Sequence, residues 1–378
     1  MTLNEILTNE ELRHHEFPVT REKIFLGHAG VCALPRRVAQ AISDCATGGT
    51  LGDQEAFVMH RIADARQAGA KLLNCQPDEV SLVGPTSLAL SFVAAGLSFR
   101  KGDNILIYHD DYPSNVYPWL ALAAKGVQVR LLNTRGLGTI RAVDVMGQVD
   151  ENTRLVALAS CHFISGHRLD HAAIGKFLHE RNILFCLDAI QTVGAFPTTV
   201  EYVDFLAADA HKWLLGPCGA GILYVRRDLQ EKLNPPIYGW HNVRNPNFVA
   251  QDKIEFRRGA AKFEAGTHSL IGLVGLIAAL ELGVDNIAAE LSRQRAWLVP
   301  ALQAKGFSVL NPDPKPENAG GITSIFRLGE DLAPLQKKLA DAGVIASLRT
   351  DRKGQNYIRF SPHFYTTDAE LRRVVELL

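Results

Sequence analysis

Neither sign of charge is in excess in this sequence: 40 Lys and Arg face 40 Asp and Glu, for a formal net charge of zero at pH 7. Nucleic-acid binders usually carry a basic surplus or stripe, so that class has no support here. Long apolar runs are also missing. The longest, Leu270–Leu280, stops at Glu281 and falls well short of the roughly 20 residues that span a bilayer. The first residues, MTLNEILTNEELRHHEF, are broken by charge and hold no apolar stretch of signal-peptide character. The six cysteines (32, 45, 75, 161, 186 and 218) form no C-x-x-C pair, which excludes a disulfide framework or a zinc ribbon and predicts a reducing, cytoplasmic setting. Histidines 162, 167, 268 and 363 make no ligand spacing, so no metal site is expected. No G-x-G-x-x-G follows the first strand and there is no G-x-x-x-x-G-K-[ST], which argues against a nucleotide-binding enzyme.

What is present is an average globular composition, 47% hydrophobic and 21% charged, enough for a sizeable core. Short apolar runs alternate with helix-period segments. The runs 79–83, 104–108, 127–132, 154–160, 183–187, 204–207 and 221–225 read as strands buried on both faces. The segments 87–98, 115–125, 140–148, 170–181 and 190–196 read as helices between them. This alternation predicts an α/β fold, a mostly parallel sheet with helices on both faces and functional loops at the carboxyl ends of the strands. The Pro-, Asn- and Gly-rich segment 234–266 is a long irregular excursion of the kind that is usually functional. A helix is expected over Ser269–Leu282 with Thr267 available as its cap. Residues 306–378 suggest a small α+β unit. The expected division is an N-terminal segment 1–40 packing with that unit or a partner, a large domain 41–290 and a small domain 291–378.

The chemistry concentrates in 183–226. Asp188 closes one apolar strand, and Lys212 follows another in Asp209-Ala210-His211-Lys212-Trp213. A lysine amine and a carboxylate at neighbouring strand ends suit pyridoxal phosphate: the amine forms a Schiff base and the carboxylate keeps the pyridine nitrogen protonated. A structural Asp–Lys pair at a sheet edge is the equal alternative on these two residues alone. Gly84-Pro85-Thr86-Ser87 sits between a strand and a helix, where hydroxyls and helical N–H groups can hold a phosphate, although Ser and Thr are also ordinary caps. Tyr112 could stack on a ring or be a plain loop tyrosine. Arg359, in a late strand, could grip a carboxylate bidentately or lie solvated.

Taken together, DAIQ, DAHKW and GPTS at these spacings resemble the class V aminotransferase family of fold-type I pyridoxal-phosphate enzymes. The resemblance extends from Phe25-Leu26-Gly27-His28-Ala29-Gly30 to Ser361-Pro362-His363-Phe364-Tyr365. It implies a seven-stranded, mostly parallel sheet with a small C-terminal α+β domain, and a homodimer with sites at its interface. Lys212 resembles the Schiff-base lysine that also moves the substrate proton, and Asp188 the partner of the pyridine nitrogen. Gln191 resembles the residue that bonds the phenolic oxygen, Tyr112 the stacking ring, and Thr86, Ser87 and His211 the phosphate contacts. Thr267 is similar to the residue donated across the interface, and Arg359 to the one that holds the substrate α-carboxylate.

Asp209 stands where the family often has a phosphate-binding serine, so it is expected to point away or to orient His211. Desulfurases in the family carry a nucleophilic thiol shortly before the substrate arginine, yet Ala342–Tyr357 contains no cysteine. Cys161 is the only thiol near a strand end on the site's side, which places persulfide chemistry behind the other reactions. The expected activity on an amino acid is therefore transamination, with a β-lyase (carbon–sulfur lyase or desulfurase-like) or an epimerase as alternatives. A cofactor-holding binding protein is disfavoured by Lys212, Asp188 and Arg359 occurring together. No nucleic-acid or membrane partner is expected.

Overall fold

The apolar runs of the first two-thirds of the chain assemble into one seven-stranded sheet. The computed structural model describes residues 1–55 and 59–378. The strand order is Val80–Ser81, Gly221–Val225, Phe205–Asp209, Leu184–Asp188, Thr153–Ala159, Asn104–Ile107 and Gln128–Leu131. All neighbours are parallel except Gly221–Val225, which is antiparallel to both of its partners. Val156, Leu158, Phe185, Leu187 and Leu206 face one core, whereas Leu155, Ala157, Cys186, Phe205 and Ala207 face another. Period-2 alternation into two apolar layers is why these strands read as continuous hydrophobic runs. Each fully buried Leu, Ile or Phe contributes about 1.5–3 kcal/mol by leaving water.

Helices cover both layers. Leu270–Leu280, apolar on nearly every face, packs against Arg36–Gly48 and Ile62–Leu73. Its cap is Ser269, whose hydroxyl accepts from the Gly272 N–H, and not the expected Thr267. The expected helix 190–196 is absent: the stretch forms consecutive turns. Two contacts explain this. The Thr192 hydroxyl is bound to Ser160 Oγ at 2.8 Å, and Gly194 takes φ +90°, which no helix accommodates.

Beyond the long helix Ile287–Ala304, a four-stranded antiparallel sheet forms from Ser347–Thr350, Asn356–Phe360, Thr323–Phe326 and Ser308–Val309. The first residues of the chain contact this unit through a separate two-stranded sheet and side-chain contacts. Ile24–Phe25 pairs in parallel with Val344–Ile345. Phe17 stacks on Tyr365 at 4.1 Å, and Arg13 reaches Glu370 at 3.0 Å. Among the described residues no helix is long and apolar enough to cross a membrane.

Candidate active site

Parallel strands bring their carboxyl ends to one edge, and that edge holds the chemistry. Asp188 ends its strand, Lys212 follows the adjacent strand Phe205–Asp209, and Tyr112 follows Asn104–Ile107. Val80–Ser81 runs in the same sense, so Gly84–Ser87 arrives at the same edge. Thr86, Ser87, Tyr112, Asp188, Gln191, His211, Lys212 and Arg359 line a single cavity of ≈ 250 Å³. Thr267 does not; it is exposed.

Electrostatics at this edge are set by burial. Burial pulls the Lys212 amine down to about 8, against the opposing pull of the Asp188 carboxylate. Burial likewise lifts Asp188 to about 6, with Lys212 holding it back. The amine also stands 5.2 Å from the Tyr112 ring centre. Behind Asp188 lies a second buried carboxylate, Asp111, which burial and the Asp188 charge push to about 7. Asp111 accepts from the N–H groups of Tyr112 and Ala159 and from Asn115, so it ties the Tyr112 loop to the sheet.

At the opposite end the helix Thr86–Gly96 opens behind Pro85 with no side-chain cap. The Leu88 and Ala89 N–H groups bond to the Pro85 carbonyl, and among the described residues those of Thr86 and Ser87 have no acceptor. The Thr86 hydroxyl accepts from the Asp209 N–H at 2.9 Å, which leaves its own proton to donate elsewhere. Free helical N–H groups beside two hydroxyls make an anion seat. Asp209 points away from that seat: its carboxylate lies 2.9 Å from His211 Nδ1 and accepts from the Gly219 N–H.

Arg359 approaches from the small sheet, 1% exposed. It donates to the Phe163 carbonyl at 2.7 Å and to Ser347 Oγ at 3.4 Å, and its buried Nε has no partner. Burial and the neighbouring Arg349 lower it to about 9. Arg349, Ser114 and Phe163 line the cavity too and were not anticipated. Ser114 lies within the Tyr112 motif and shares a 2.7 Å hydrogen bond with Ser87, a signal that its hydroxyl neighbours could have given. His363 stays out of the cavity, fully buried and donating to the Trp213 carbonyl at 3.1 Å. Cys161 stays out as well, 1% exposed, with burial pushing its thiol up to about 12.

A further group escaped the sequence reading: His241, Glu264 and His268 converge closely enough to hold a metal ion. Glu264 is already engaged by Arg66 at 2.5 Å, His268 at 2.9 Å, Ser81 and Leu82. Burial pushes its carboxyl up, but these donors win and hold it below the usual range. This carboxylate braces the segment before Thr267.

The cavity fits pyridoxal 5′-phosphate on its donor set: a buried amine of lowered basicity, a carboxylate at the strand end, and an anion seat. Arg359, buried and with no acid partner among the described residues, awaits a carboxylate besides.

Known proteins point the same way. A probable cysteine desulfurase of Methanothermobacter thermautotrophicus is 31% identical, with 98% of each chain covered. An uncharacterized aminotransferase, YcbU, of Bacillus subtilis is 29% identical over 95% of each. In fold, the chain is similar to a cysteine desulfurase of Thermococcus onnurineus (TM-score 0.89, 22% identity, covering 98% of this chain and 96% of that one). It is also similar to the cystine C–S lyase C-DES, solved with its product cysteine persulfide (TM-score 0.86, 23% identity, covering 95% and 98%). The family model for class V aminotransferases matches residues 24–374. The chain therefore belongs to the class V aminotransferase family, as a fold-type I enzyme whose cofactor is pyridoxal 5′-phosphate.

Proposed function

We propose that the chain is a carbon–sulfur β-lyase acting on a cysteine-derived α-amino acid, without a protein thiol as sulfur acceptor. The relatives named as desulfurases and the C–S lyase neighbour support the bond that breaks. The observation that carries the thiol-free form is the lining of the cavity: a lysine base, a buried arginine and, among the described residues, no cysteine. This departs from the transamination expected first and takes up its alternative.

When bound, the cofactor supplies the electron sink that makes the Cα proton of an amino acid removable. Arg359 holds the α-carboxylate through Nε and the N–H groups that Phe163 and Ser347 leave free, and so turns the Cα–H towards Lys212. Lys212, with half of its amine unprotonated at about pH 8, takes that proton. The Cβ–S bond then breaks with its electron pair on sulfur, and one water converts the three-carbon remainder into pyruvate and ammonium. Tyr112 and Phe163, edge-to-face at 5.3 Å, give the cavity an aromatic wall.

The test is product analysis of the loaded enzyme with cystine and with an S-alkylcysteine. Pyruvate, ammonium and a persulfide or thiol in equal amounts support the reading, with undiminished yield from Cys161→Ala. Amino transfer to a 2-oxo acid without ammonium would refute it and favour the second reading, transamination, which the Bacillus subtilis relative's name supports. A homodimer is part of the same proposal. Thr267 stands exposed and does not line its own cavity, and Tyr238 and Phe248, in the excursion before it, leave 62% and 80% of their surface open. Sedimentation showing a monomer at micromolar concentration would oppose it.

A further inference from the structure

Gln191 is 3% exposed and lines the cavity. Its Nε2 donates to the Ala29 carbonyl at 3.1 Å, and its Oε1 accepts from the Trp213 indole N–H at 2.8 Å. A carbonyl only accepts and an indole only donates, so these two partners fix which end of the amide is which. Neither amide end has another partner among the described residues, which leaves one N–H of Nε2 unspent. Both anchors are rigid. The Ala29 N–H is bound to Ser361 Oγ at 3.0 Å, and the Trp213 carbonyl accepts from His363. A Cβ at Gly321 would lie 2.6 Å from the indole ring, so the ring has no room to shift that way.

We propose that Trp213 is a positioning residue: its indole N–H holds the Gln191 amide so that the spare N–H, and not the carbonyl oxygen, is offered to the phenolic oxygen of the bound cofactor. Without the indole only the Ala29 carbonyl restrains the amide, which can then swing about that one bond and carry its spare N–H off the phenolic oxygen. A donor at that oxygen favours its anionic form and lowers the pH at which the bound cofactor changes colour. The charged and titratable groups that line the cavity are Asp188, Lys212, His211, Tyr112, Arg349 and Arg359, with Asp111 behind Asp188 and Asp209 against His211, and the proposal leaves all of them in place. His28 and His363, packed on the indole, are fully buried and held below their usual basicity by that burial, so they add no charge near neutral pH.

The inference rests on the class V cofactor assignment and is tested separately from it. The loaded enzyme is titrated with acid and base while its visible absorption is followed, for the parent, Trp213→Phe, Gln191→Leu and the double variant. The midpoint is expected to rise by about 0.5–1 pH unit in Trp213→Phe, by at least as much in Gln191→Leu, and no further in the double variant. A Trp213→Phe midpoint equal to the parent's, or single shifts that add in the double variant, would overturn the proposal. No shift in Gln191→Leu would overturn it as well, whereas failure of the cofactor assignment would appear earlier as a protein that takes up no colour. Should Trp213→Phe not fold, the indole N–H resonances of the four tryptophans carry the test. One of them is expected to move on cofactor loading in the parent and to stay still in Gln191→Leu; movement in both would count against the proposal.

Discussion

Replacing Arg359 with Met separates function from stability in opposite directions. The guanidinium is 1% exposed and has no carboxylate within ion-pair distance among the described residues. A buried charge without a counter-ion costs several kcal/mol, which only an anionic ligand recovers. Methionine fills a similar volume without the charge, at the expense of leaving the Phe163 carbonyl unpaired, a cost of about 1–3 kcal/mol. The two roughly offset, so the ligand-free variant is expected to unfold within about 2 kcal/mol of the parent in a urea titration. Turnover behaves otherwise. Removing one partner of a buried, hydrogen-bonded charge pair costs about 2–5 kcal/mol, so kcat/KM for an α-amino acid is expected to fall about 30- to 5,000-fold. Cysteamine-type disulfides, which lack the carboxylate, are expected to change less than about threefold. An equal loss on both substrate types, or a variant destabilised far beyond that margin, would show that Arg359 is a structural cation.

Four further outcomes follow from the same geometry. Because burial sets the Lys212 amine at about 8, capture of an aldehyde by the cofactor-free protein should rise with pH through about 8 and then level off. Asp188→Asn removes the charge that holds the Lys212 proton on, so its midpoint should move lower; an upward shift would contradict the pairing. Gly321→Ala puts a Cβ 2.6 Å from the Trp213 ring and should cost about 1–3 kcal/mol in denaturant titration at unchanged m-value. Glu264→Gln weakens the common anchor of Arg66 and His268 and should lower stability by about 3 kcal/mol, read as a fall in Tm.

Residues that end apolar strands were legible in the sequence, because a lone Asp or Lys after a run buried on both faces has nowhere to go but the sheet edge. Asp188 and the Asp209–Lys212 run are of this kind. The Asp209 orientation was legible too: an acid beside an anion seat must turn away, and it lies against His211. Local periodicity failed where a single backbone angle overrides it, as at Gly194 within 190–196, and where a nearer hydroxyl, Ser269, outcompetes Thr267 as a cap. Long-range convergence left no local trace. Arg66, Ser81 and His241 meet at Glu264 from three separate stretches of chain, and only His268, four residues on, has a spacing that connects it. Arg349 escaped for a related reason: in an exposed-looking strand, only the fold shows that it shares a cavity with Arg359.

Reduction of the loaded protein with borohydride, followed by peptide mapping, tests the central claim most directly. The account predicts that the cofactor's mass is fixed on one peptide, the one containing Lys212, with the visible colour lost as the bond is made permanent. Modification spread over surface lysines, or a Lys212 peptide of unchanged mass, would contradict it.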